Sequence, residues 1–276
     1  MHSFREITDS LYETPVNYAG HSEGFQRANL IGAAQGSVHI GFSIAELGPG
    51  GRIDACVHSY EKGVFVLEGE IELNRDGKVF RLGNFDFALI PIGTAYALRN
   101  TSGAPVKWVE KCAPQPKLPG GWVDSFFTKG LEWGEALSFD PLNPACTMIG
   151  RFDWSQMPPS QDINKYMWGW AKKMLIDSVL GSHQFNMFMI HFDDGGQTDE
   201  HDHSFEEAYL VLEGECTFKA DGKEYVLQPG TIGWSGVGSP HGFFMNRGTH
   251  CRWLEIMTPQ PPVQNGNRRL SAWDDI

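Results

Sequence analysis

The chain has 276 residues, of which 41% are hydrophobic and 20% are charged, a composition that excludes disordered and collagen-like proteins. The formal net charge is −12 and no cluster of Lys and Arg offsets it, so we expect no binding to nucleic acid. No apolar run reaches about 18 residues, so we expect no membrane-spanning helix and no membrane partner. The polar N-terminal residues do not resemble an export signal and the five cysteines form no CxxC pair, so we expect a cytoplasmic protein with reduced thiols.

Short runs of β-branched and aromatic residues recur along the chain and predict strands at 64–73, 78–82, 208–218, 223–227 and 250–257. The pairs Asp76-Gly77 and Asp221-Gly222 each separate two such runs, which predicts two tight hairpins. Long amphipathic helices are scarce, and only the segment 165–180 is a helix candidate. We therefore predict an all-β protein with a short helical supplement.

The sequence repeats itself at an offset of 145 residues, without a gap, between about 41–116 and about 186–261. For example, 66–70 (VLEGE) matches 211–215, and 76–78 (DGK) matches 221–223. This repeat is too long for a solenoid unit, so we predict two small β-barrels or sandwiches. We place an N-terminal barrel at 1–116 and a C-terminal barrel at 186–276. The Trp-rich segment 117–185 is predicted to be a packed connection that contributes strands or a helix to the second unit.

The second unit carries a pattern of metal ligands in HDHSFEE, residues 201–207. In an extended strand, His201, His203 and Glu207 point to the same face because their spacing is even. His241 follows two further predicted strands, which is enough chain to return beside the first. Imidazole and carboxylate donors suit Mn(II), Fe(II), Ni(II) or Zn(II). We predict that these four residues hold one divalent metal ion per chain.

The first unit has lost this pattern. At the 145-residue offset, the four predicted ligands correspond, in order, to Cys56, His58, Lys62 and Tyr96. A lysine places a cation where the metal is expected, and one matching ligand is too few for a tight site. We predict a barrel used for packing and assembly, with weak binding of a soft metal by Cys56 and His58 as the alternative.

Two stretches of the second unit resemble the sequence motifs of the cupins. The pattern G-G-x4-H-x-H-x3-E-x6-G from Gly195 to Gly214 resembles the first cupin motif, and Gly238-Ser-Pro-His241, followed by Asn246, resembles the second. With the repeat, the whole chain resembles a bicupin, which implies two tandem jelly-roll barrels. The resemblance does not identify the reaction, because cupins include dioxygenases, decarboxylases, isomerases, hydrolases and binding proteins.

Among bicupins with a metal in the C-terminal barrel, the chain resembles the ureidoglycine aminohydrolase family in length, in architecture and in the strand AYLVLEG. That family has Glu, His and Gln at the first, third and fourth ligand positions, where this chain has His201, Glu207 and His241. The family also carries a lysine near the position of Met257. The resemblance implies the fold and a metal, and ureide deamination is the activity it suggests.

Two residues are candidates for catalysis. By strand parity Glu255 faces the barrel interior, as do Trp253 and Met257, and a carboxylate near a metal is a candidate acid–base group. The alternative is a structural role, because Glu110 occupies the same place in the unit without ligands. Tyr209 shares the parity of Glu207, and a buried Tyr needs a partner for its hydroxyl.

Other residues near the predicted site leave two interpretations open. Met187, Met189 and His191 share one face of a neighbouring strand, where core packing and contact with a substrate are alternatives. Trp253 favours core packing. Glu206 has the opposite parity to Glu207, which predicts a position on the outer face of the barrel.

These patterns predict a metal-dependent enzyme that acts on a small polar substrate, anionic or carbonyl-containing, with hydrolysis or deamination of a ureide as the first reaction to consider. Fe(II)-dependent dioxygenation is an alternative, and a non-catalytic cupin that binds metal or a small molecule is another. Because a bicupin already resembles a cupin dimer, we expect a stable core from one chain, with further pairing into a homo-oligomer.

Overall fold

The computed structural model describes residues 1–117, 124–163, 166–260 and 268–269. Within them, twelve strands form one barrel-like sheet and ten form a second. The strands of the first sheet are β2 (Tyr12–Glu13), β3 (Ser22–Ile31), β4 (Gly41–His58), β5 (Glu61–Glu68), β6 (Ile71–Arg75), β7 (Lys78–Leu82), β8 (Asp86–Ile90), β9 (Tyr96–Arg99), β10 (Val106–Ala113), β11 (Ser125–Phe127), β12 (Leu137–Ser138) and β13 (Ile149–Arg151).

The second sheet repeats this arrangement. Its strands are β1 (His2–Glu6), β14 (Met167–Ile176), β15 (Asn186–Asp202), β16 (Glu206–Gly214), β17 (Cys216–Ala220), β18 (Lys223–Leu227), β19 (Thr231–Ser235), β20 (His241–Phe244), β21 (Cys251–Thr258) and β22 (Arg268–Arg269). The strand order along the sheet is β1-β19-β16-β21-β15-β20-β17-β18, with β14 and β22 paired to β15. The predicted all-β class with two tandem barrels is confirmed.

The two predicted hairpins join β6 to β7 and β17 to β18 as antiparallel pairs. Asp76 and Gly77 have φ of 50° and 82°, and Asp221 and Gly222 have φ of 48° and 75°. Two consecutive positive φ values give the turn whose twist matches the twist of the flanking strands. After the first hairpin the chain returns as β9, which pairs with β4, and after the second it returns as β20, which pairs with β15.

The segment predicted as a helix, whose first residue lies outside the described residues, forms strand β14 over Met167–Ile176, so that prediction is wrong. β14 pairs antiparallel with β15 along its length, and Gly169 at φ +64° breaks any helical path. The open edge of β15 offers backbone partners that a helix would leave unpaired. In the part of the chain that the structure describes, the helical supplement consists of four short 3-10 helices, Asp9–Leu11, Val16–Tyr18, Ala33–Gln35 and Trp154–Gln156.

The two barrels exchange strands. β1, which precedes the first barrel, pairs with β19 of the second, and β13, which precedes most of the second barrel, pairs with β8 of the first. The connecting segment therefore serves both sheets, because β11, β12 and β13 join the first and β14 joins the second. The strand that β14 adds to the second sheet agrees with the prediction, whereas the contribution of β11, β12 and β13 to the first sheet is not predicted from the sequence.

Three buried hydrophobic clusters hold this architecture. One fills the first barrel around Trp108 and one fills the second around Trp253. The third lies between the barrels and combines the outer faces of both, including Phe42, Phe65 and Trp234. All five cysteines are free thiols. Among the described residues, no helix has the length and apolar character that crossing a membrane requires.

Candidate metal centre

Three histidine side chains of the second barrel converge in its interior. His201 lies on β15, His203 directly follows that strand, and His241 begins β20. The pairing of β15 with β20 places His201 opposite His241. One ring nitrogen from each of the three lies within 4.8 Å of the others. The structure thus brings three of the four predicted ligands close enough together that they could hold a single cation.

Hydrogen bonds to the backbone fix the orientation of each imidazole. The Nδ1 atoms of His201, His203 and His241 lie 2.9, 2.7 and 2.9 Å from the carbonyl oxygens of residues 199, 205 and 239. A carbonyl oxygen only accepts, so each Nδ1 carries the hydrogen and each neutral ring keeps its lone pair on Nε2. Holding the other ring nitrogen in this way is the usual arrangement of metal-binding histidines.

Glu207 on β16 completes the predicted set. Its Oε2 lies 2.9 Å from His203 Nε2 and 3.2 Å from His241 Nε2. Nevertheless the buried His203 Nε2 has no hydrogen-bond partner, because the carboxylate is close but not aligned with it. Buried polar atoms are rarely left in this state unless a water or an ion satisfies them. Donors of this chemistry that face a common centre fit a divalent metal ion.

The charges of the four groups are strongly interdependent. Burial, with the neighbouring His241, lowers the pKa of His201 to about 4. Burial acts in the same direction on His203, but the charge of Glu207 outweighs it and raises the pKa of His203. Burial would raise the pKa of Glu207, yet the nearby imidazoles hold it well below its usual value. The carboxylate is therefore ionised and available as a ligand.

Tyr209 lies on the same face of β16 as Glu207, as the parity argument predicts. Its hydroxyl donates a 2.6 Å hydrogen bond to Glu207 Oε2 and lies 3.4 Å from Ser235 Oγ. Burial and the charge of Glu207 raise the pKa of Tyr209 well above its usual value. The hydroxyl therefore stays protonated, so that Tyr209 acts as a hydrogen-bond donor that orients the carboxylate.

Glu255 on β21 lies in the same interior, where Trp253 Nε1 donates a 2.9 Å hydrogen bond to it. Burial and the charge of Glu207 raise the pKa of Glu255 well above its usual value, while the Trp253 hydrogen bond and the cation of Lys172 act in the opposite direction. Two carboxyl groups this close share a proton more readily than they both ionise. In this interior the protonated form of Glu255 is therefore favoured.

The corresponding place in the first barrel is occupied by a lysine. The ammonium of Lys62 donates to Tyr96 Oη at 2.6 Å and to Glu110 Oε1 at 3.1 Å. His58, the counterpart of His203, lies 2.8 Å from Tyr96 Oη and 2.8 Å from Ser125 Oγ, so both of its ring nitrogens have partners. Burial, with the cation of Lys62, lowers the pKa of His58 to about 2. This closed network leaves no free donor for a metal.

Several residues near the predicted site lie elsewhere. Met187 and Met189 face the cluster between the barrels, and their neighbours on β15 face the interior of the second barrel. His191 is paired at 2.8 Å with Asp193 outside the site. Glu206 is on the outer face of the barrel, as its parity predicts, but it is buried because the first barrel covers that face.

Sequence reasoning missed Lys172, whose cation acts on Glu255. At the 145-residue offset β3 and β14 share three identical residues of ten, Gly24 with Gly169, Leu30 with Leu175 and Ile31 with Ile176, so the repeat is less clear there than from about residue 41 onward. Extending the 145-residue offset upstream would have matched Lys172 to Arg27, which contacts Glu110 at 3.3 Å. The backbone carbonyls that hold the imidazoles leave no sequence signal at all.

Comparison with known proteins gives two matches of the Cupin domain family, at residues 43–111 and 188–257, which together make up half of the chain. A curated protein, Polyketide synthase CurC of Streptomyces cyaneus, is 33% identical over 99 residues. That match spans 34% of this chain and 60% of the relative, so the similarity covers less than two thirds of the relative's length.

Solved structures share the fold along most of the chain. A protein of Pseudomonas aeruginosa described as glyoxylate-induced has a TM-score of 0.69 at 17% identity, covering 95% of this chain and 91% of its own. Oxalate decarboxylase of Lactobacillus farciminis gives 0.68 at 12%, covering 98% and 89%. Salicylate 1,2-dioxygenase of Pseudaminobacter salicylatoxidans gives 0.64 at 15%, covering 80% and 71%.

Proposed function

For a chain that belongs to the cupin family, with one cluster of metal-type ligands, we propose the function of a mononuclear metal-dependent enzyme that acts on a small polar substrate. His201, His203, Glu207 and His241 are the proposed ligands of one divalent ion. The observation that carries the proposal is the orientation of the imidazoles. Every Nδ1 is held by a backbone carbonyl, and the three histidines face one another with their remaining nitrogens.

When bound, a divalent ion would supply Lewis acidity towards a substrate oxygen or lower the pKa of a bound water. The residues of the chain supply the remaining functions. Tyr209 orients Glu207 through its hydroxyl, and Glu255 holds a proton beside the ligands. Phe218, Phe243 and Trp253 form an aromatic wall around Tyr209, which limits the entry of water.

We propose a small anionic or carbonyl-containing substrate. A carbonyl or carboxylate oxygen is the group that a Lewis-acidic centre polarises. An imidazole that ligates a metal is neutral, so the proposed ligand set would carry only the negative charge of the Glu207 carboxylate. Together with a divalent ion, this set keeps a net positive charge, because one carboxylate cancels only one of the two charges. Such a centre attracts an anion in preference to a cation.

Hydrolysis or deamination of a ureide-like compound is the reaction we propose first. The position of Glu255 beside the ligands and the upward shift of its pKa support this choice, because hydrolysis needs a group that gives a proton to a leaving amine. Fe(II)-dependent oxygenation is the second candidate. The donor set of three imidazoles and one carboxylate suits Fe(II) as well as Mn(II), and the fold is shared with a salicylate 1,2-dioxygenase.

Parallel assays of the purified protein loaded with Mn(II) or Fe(II) test these proposals. Ureides, oxalate and salicylate are offered with and without oxygen, and ammonia release, carbon dioxide release and oxygen consumption are recorded. Ammonia release that needs the metal but not oxygen supports the first reaction, and oxygen consumption supports the second. A protein that binds metal tightly and converts none of these compounds favours a non-catalytic, metal-binding cupin.

A further inference from the structure

Two glutamates at equivalent positions join the barrels to each other. Glu206 of the second barrel accepts hydrogen bonds from Ser37 Oγ at 2.5 Å and from the N–H groups of Val38, His39 and Ile40 at 2.8, 3.2 and 3.0 Å. These four donors belong to one loop of the first barrel. Glu206 is only 1% exposed, so its charge is stabilised by this fan of donors and not by water.

The mirror contact is made by Glu61, which lies 145 residues before Glu206. It accepts hydrogen bonds from Ser182 Oγ at 2.8 Å and from the N–H groups of His183 and Gln184 at 2.9 and 3.0 Å, all in a loop of the second barrel. A glutamine supports each loop from behind, with the amide of Gln115 on residues 37 and 40 and that of Gln260 on residues 182 and 185.

Each glutamate and its loop form a latch, Glu206 with residues 37–40 and Glu61 with residues 182–184. The two latches differ in the next residue of the chain. Glu206 precedes Glu207, the proposed metal ligand, whereas Glu61 precedes Lys62, which replaces a ligand in the first barrel. Consecutive residues of a strand point to opposite faces. Fixing Glu206 on the outer face therefore fixes the backbone from which Glu207 points inward.

We propose that Glu206 is a positioning residue for the metal centre and that the first barrel, through the loop 37–40, holds the ligand strand β16 in place. This gives the barrel without ligands a role in the site of the other barrel. The inference rests on the proposed metal centre. It follows the general behaviour of groups outside the ligand set, whose loss typically weakens metal affinity by about 10- to 100-fold.

The test compares Glu206→Gln with its mirror variant Glu61→Gln. In each variant one carboxylate oxygen is replaced by an amide NH2 group, which cannot accept hydrogen bonds from the loop. Both latches therefore lose the same kind of contact, while the shape of the side chain is retained. Affinity for Co(II) and Mn(II) is measured by calorimetric titration, the Co(II) spectrum reports the geometry of the ligands, and thermal unfolding reports stability. We expect both variants to lose stability, and only Glu206→Gln to bind metal about 10- to 100-fold more weakly with a changed Co(II) spectrum.

A second pair of variants keeps the test decisive if Glu206→Gln fails to fold. Ser37→Ala removes one donor to Glu206 from the other barrel, and Ser182→Ala removes the matching donor to Glu61. We expect Ser37→Ala alone to weaken metal binding. Equal metal affinities in both members of each pair, or equal losses, would overturn the positioning role. A wild-type protein that binds no metal would instead overturn the proposed function.

Discussion

Two of the lysines that the structure describes are completely buried, and their surroundings differ. Lys62 donates to Glu110 and Tyr96, and the charge of Glu110 outweighs burial and raises its pKa. Lys111 has no hydrogen-bond partner at Nζ, lies 5.9 Å from the ring centre of Phe185 between the barrels, and corresponds to an isoleucine in the second barrel. Burial lowers the pKa of Lys111 to about 7. Lys62 therefore belongs to a stabilising network, whereas the unpaired Lys111 lowers the stability of the folded protein.

Replacing each lysine by methionine should change stability in opposite directions. Lys111→Met removes an unpaired buried cation and should raise the free energy of unfolding at pH 7 by about 2–4 kcal/mol. Lys62→Met leaves Glu110 with one partner fewer and should lower the free energy of unfolding by about 3–5 kcal/mol. Urea unfolding of both variants measures this, and loss of stability in Lys111→Met would contradict the description of its site.

The effect of Lys111 should depend on pH. Its pKa is lowered from 10.5 to about 7 by burial, while Cys112 and Glu206 act in the opposite direction. Between these values the unfolded chain binds the proton and the folded chain does not, so wild-type stability rises with pH relative to Lys111→Met. The advantage of the variant should be largest below pH about 7 and shrink by about 1.4 kcal/mol per pH unit above it. If Lys111→Met raises the free energy of unfolding equally at pH 6 and pH 9.5, the claim that burial lowers the pKa of Lys111 is wrong.

The catalytic proposal is tested at Glu255. Glu255→Gln keeps the shape and the acceptor for Trp253 but cannot exchange a proton, so turnover should fall by about 100-fold or more while the metal is retained. Glu110→Gln in the first barrel is the matched control. It should lower stability, because it weakens the contacts with Lys62 and Arg27, and leave turnover per folded molecule unchanged. Wild-type turnover in Glu255→Gln would rule out the proton-transfer role.

The side chains of the site could be found from the sequence, because metal ligands must be imidazoles or carboxylates and because strand parity fixes their face. Their orientation could not be found this way, since it depends on backbone carbonyls, which every residue has. The burial of Glu206 also escaped prediction, because parity gives the face of a strand and not the neighbour that covers that face.

At the scale of the element, one glycine position shows how the repeat preserves a close contact. Gly69 and Gly214 have φ of +84° and +73° at the ends of β5 and β16. A side chain on Gly69 would lie 2.7 Å from the carbonyl oxygen of Pro105, and one on Gly214 would meet the carbonyl oxygen of His250. Gly77 in the hairpin has a similar φ of +82° but open space around it.

Replacing Gly77 and Gly69 by alanine should separate the cost of a positive φ from the cost of a steric clash. Gly77→Ala should cost about 1 kcal/mol, the cost of a positive φ. Gly69→Ala should cost about 3 kcal/mol, because the backbone of residue 105 must also move. Chemical denaturation measures the free energy of unfolding of both variants. Equal losses would contradict a steric clash with Pro105, because they would mean that the backbone there moves at little cost.

Strand β14 shows why a short element is hard to assign from its own sequence. Its apolar and charged residues fit a helical period about as well as an extended one, and only the free edge of β15 decides between them. Part of the long strand β15 is predicted from the sequence, where Met187, Met189 and His191 share one face, whereas no strand is predicted over β4.

At the scale of the whole molecule, the two barrels depend on each other. β1 and β13 are exchanged between the sheets, the largest described hydrophobic cluster lies between them, and each barrel sends a glutamate into a loop of the other. The repeat in the sequence predicts two barrels. The exchange of strands cannot be predicted, because a strand has the same alternation of apolar and polar residues whether it joins its own barrel or the other one. Dividing the chain into two separate barrels would therefore leave β19 and β8 without the strands that pair with them.

The metal content of the purified protein, after saturation with a divalent ion and removal of the excess, decides whether the second barrel alone holds a metal centre. Elemental analysis should give about one ion per chain in the wild-type protein. His203→Ala should lose it, because Nε2 of His203 faces the other ligands without a partner, and the mirror variant His58→Ala should keep it, because the first barrel holds Lys62 at that place. Two tightly held ions per chain, or an ion that survives His203→Ala and is lost in His58→Ala, would contradict a single metal centre in the second barrel.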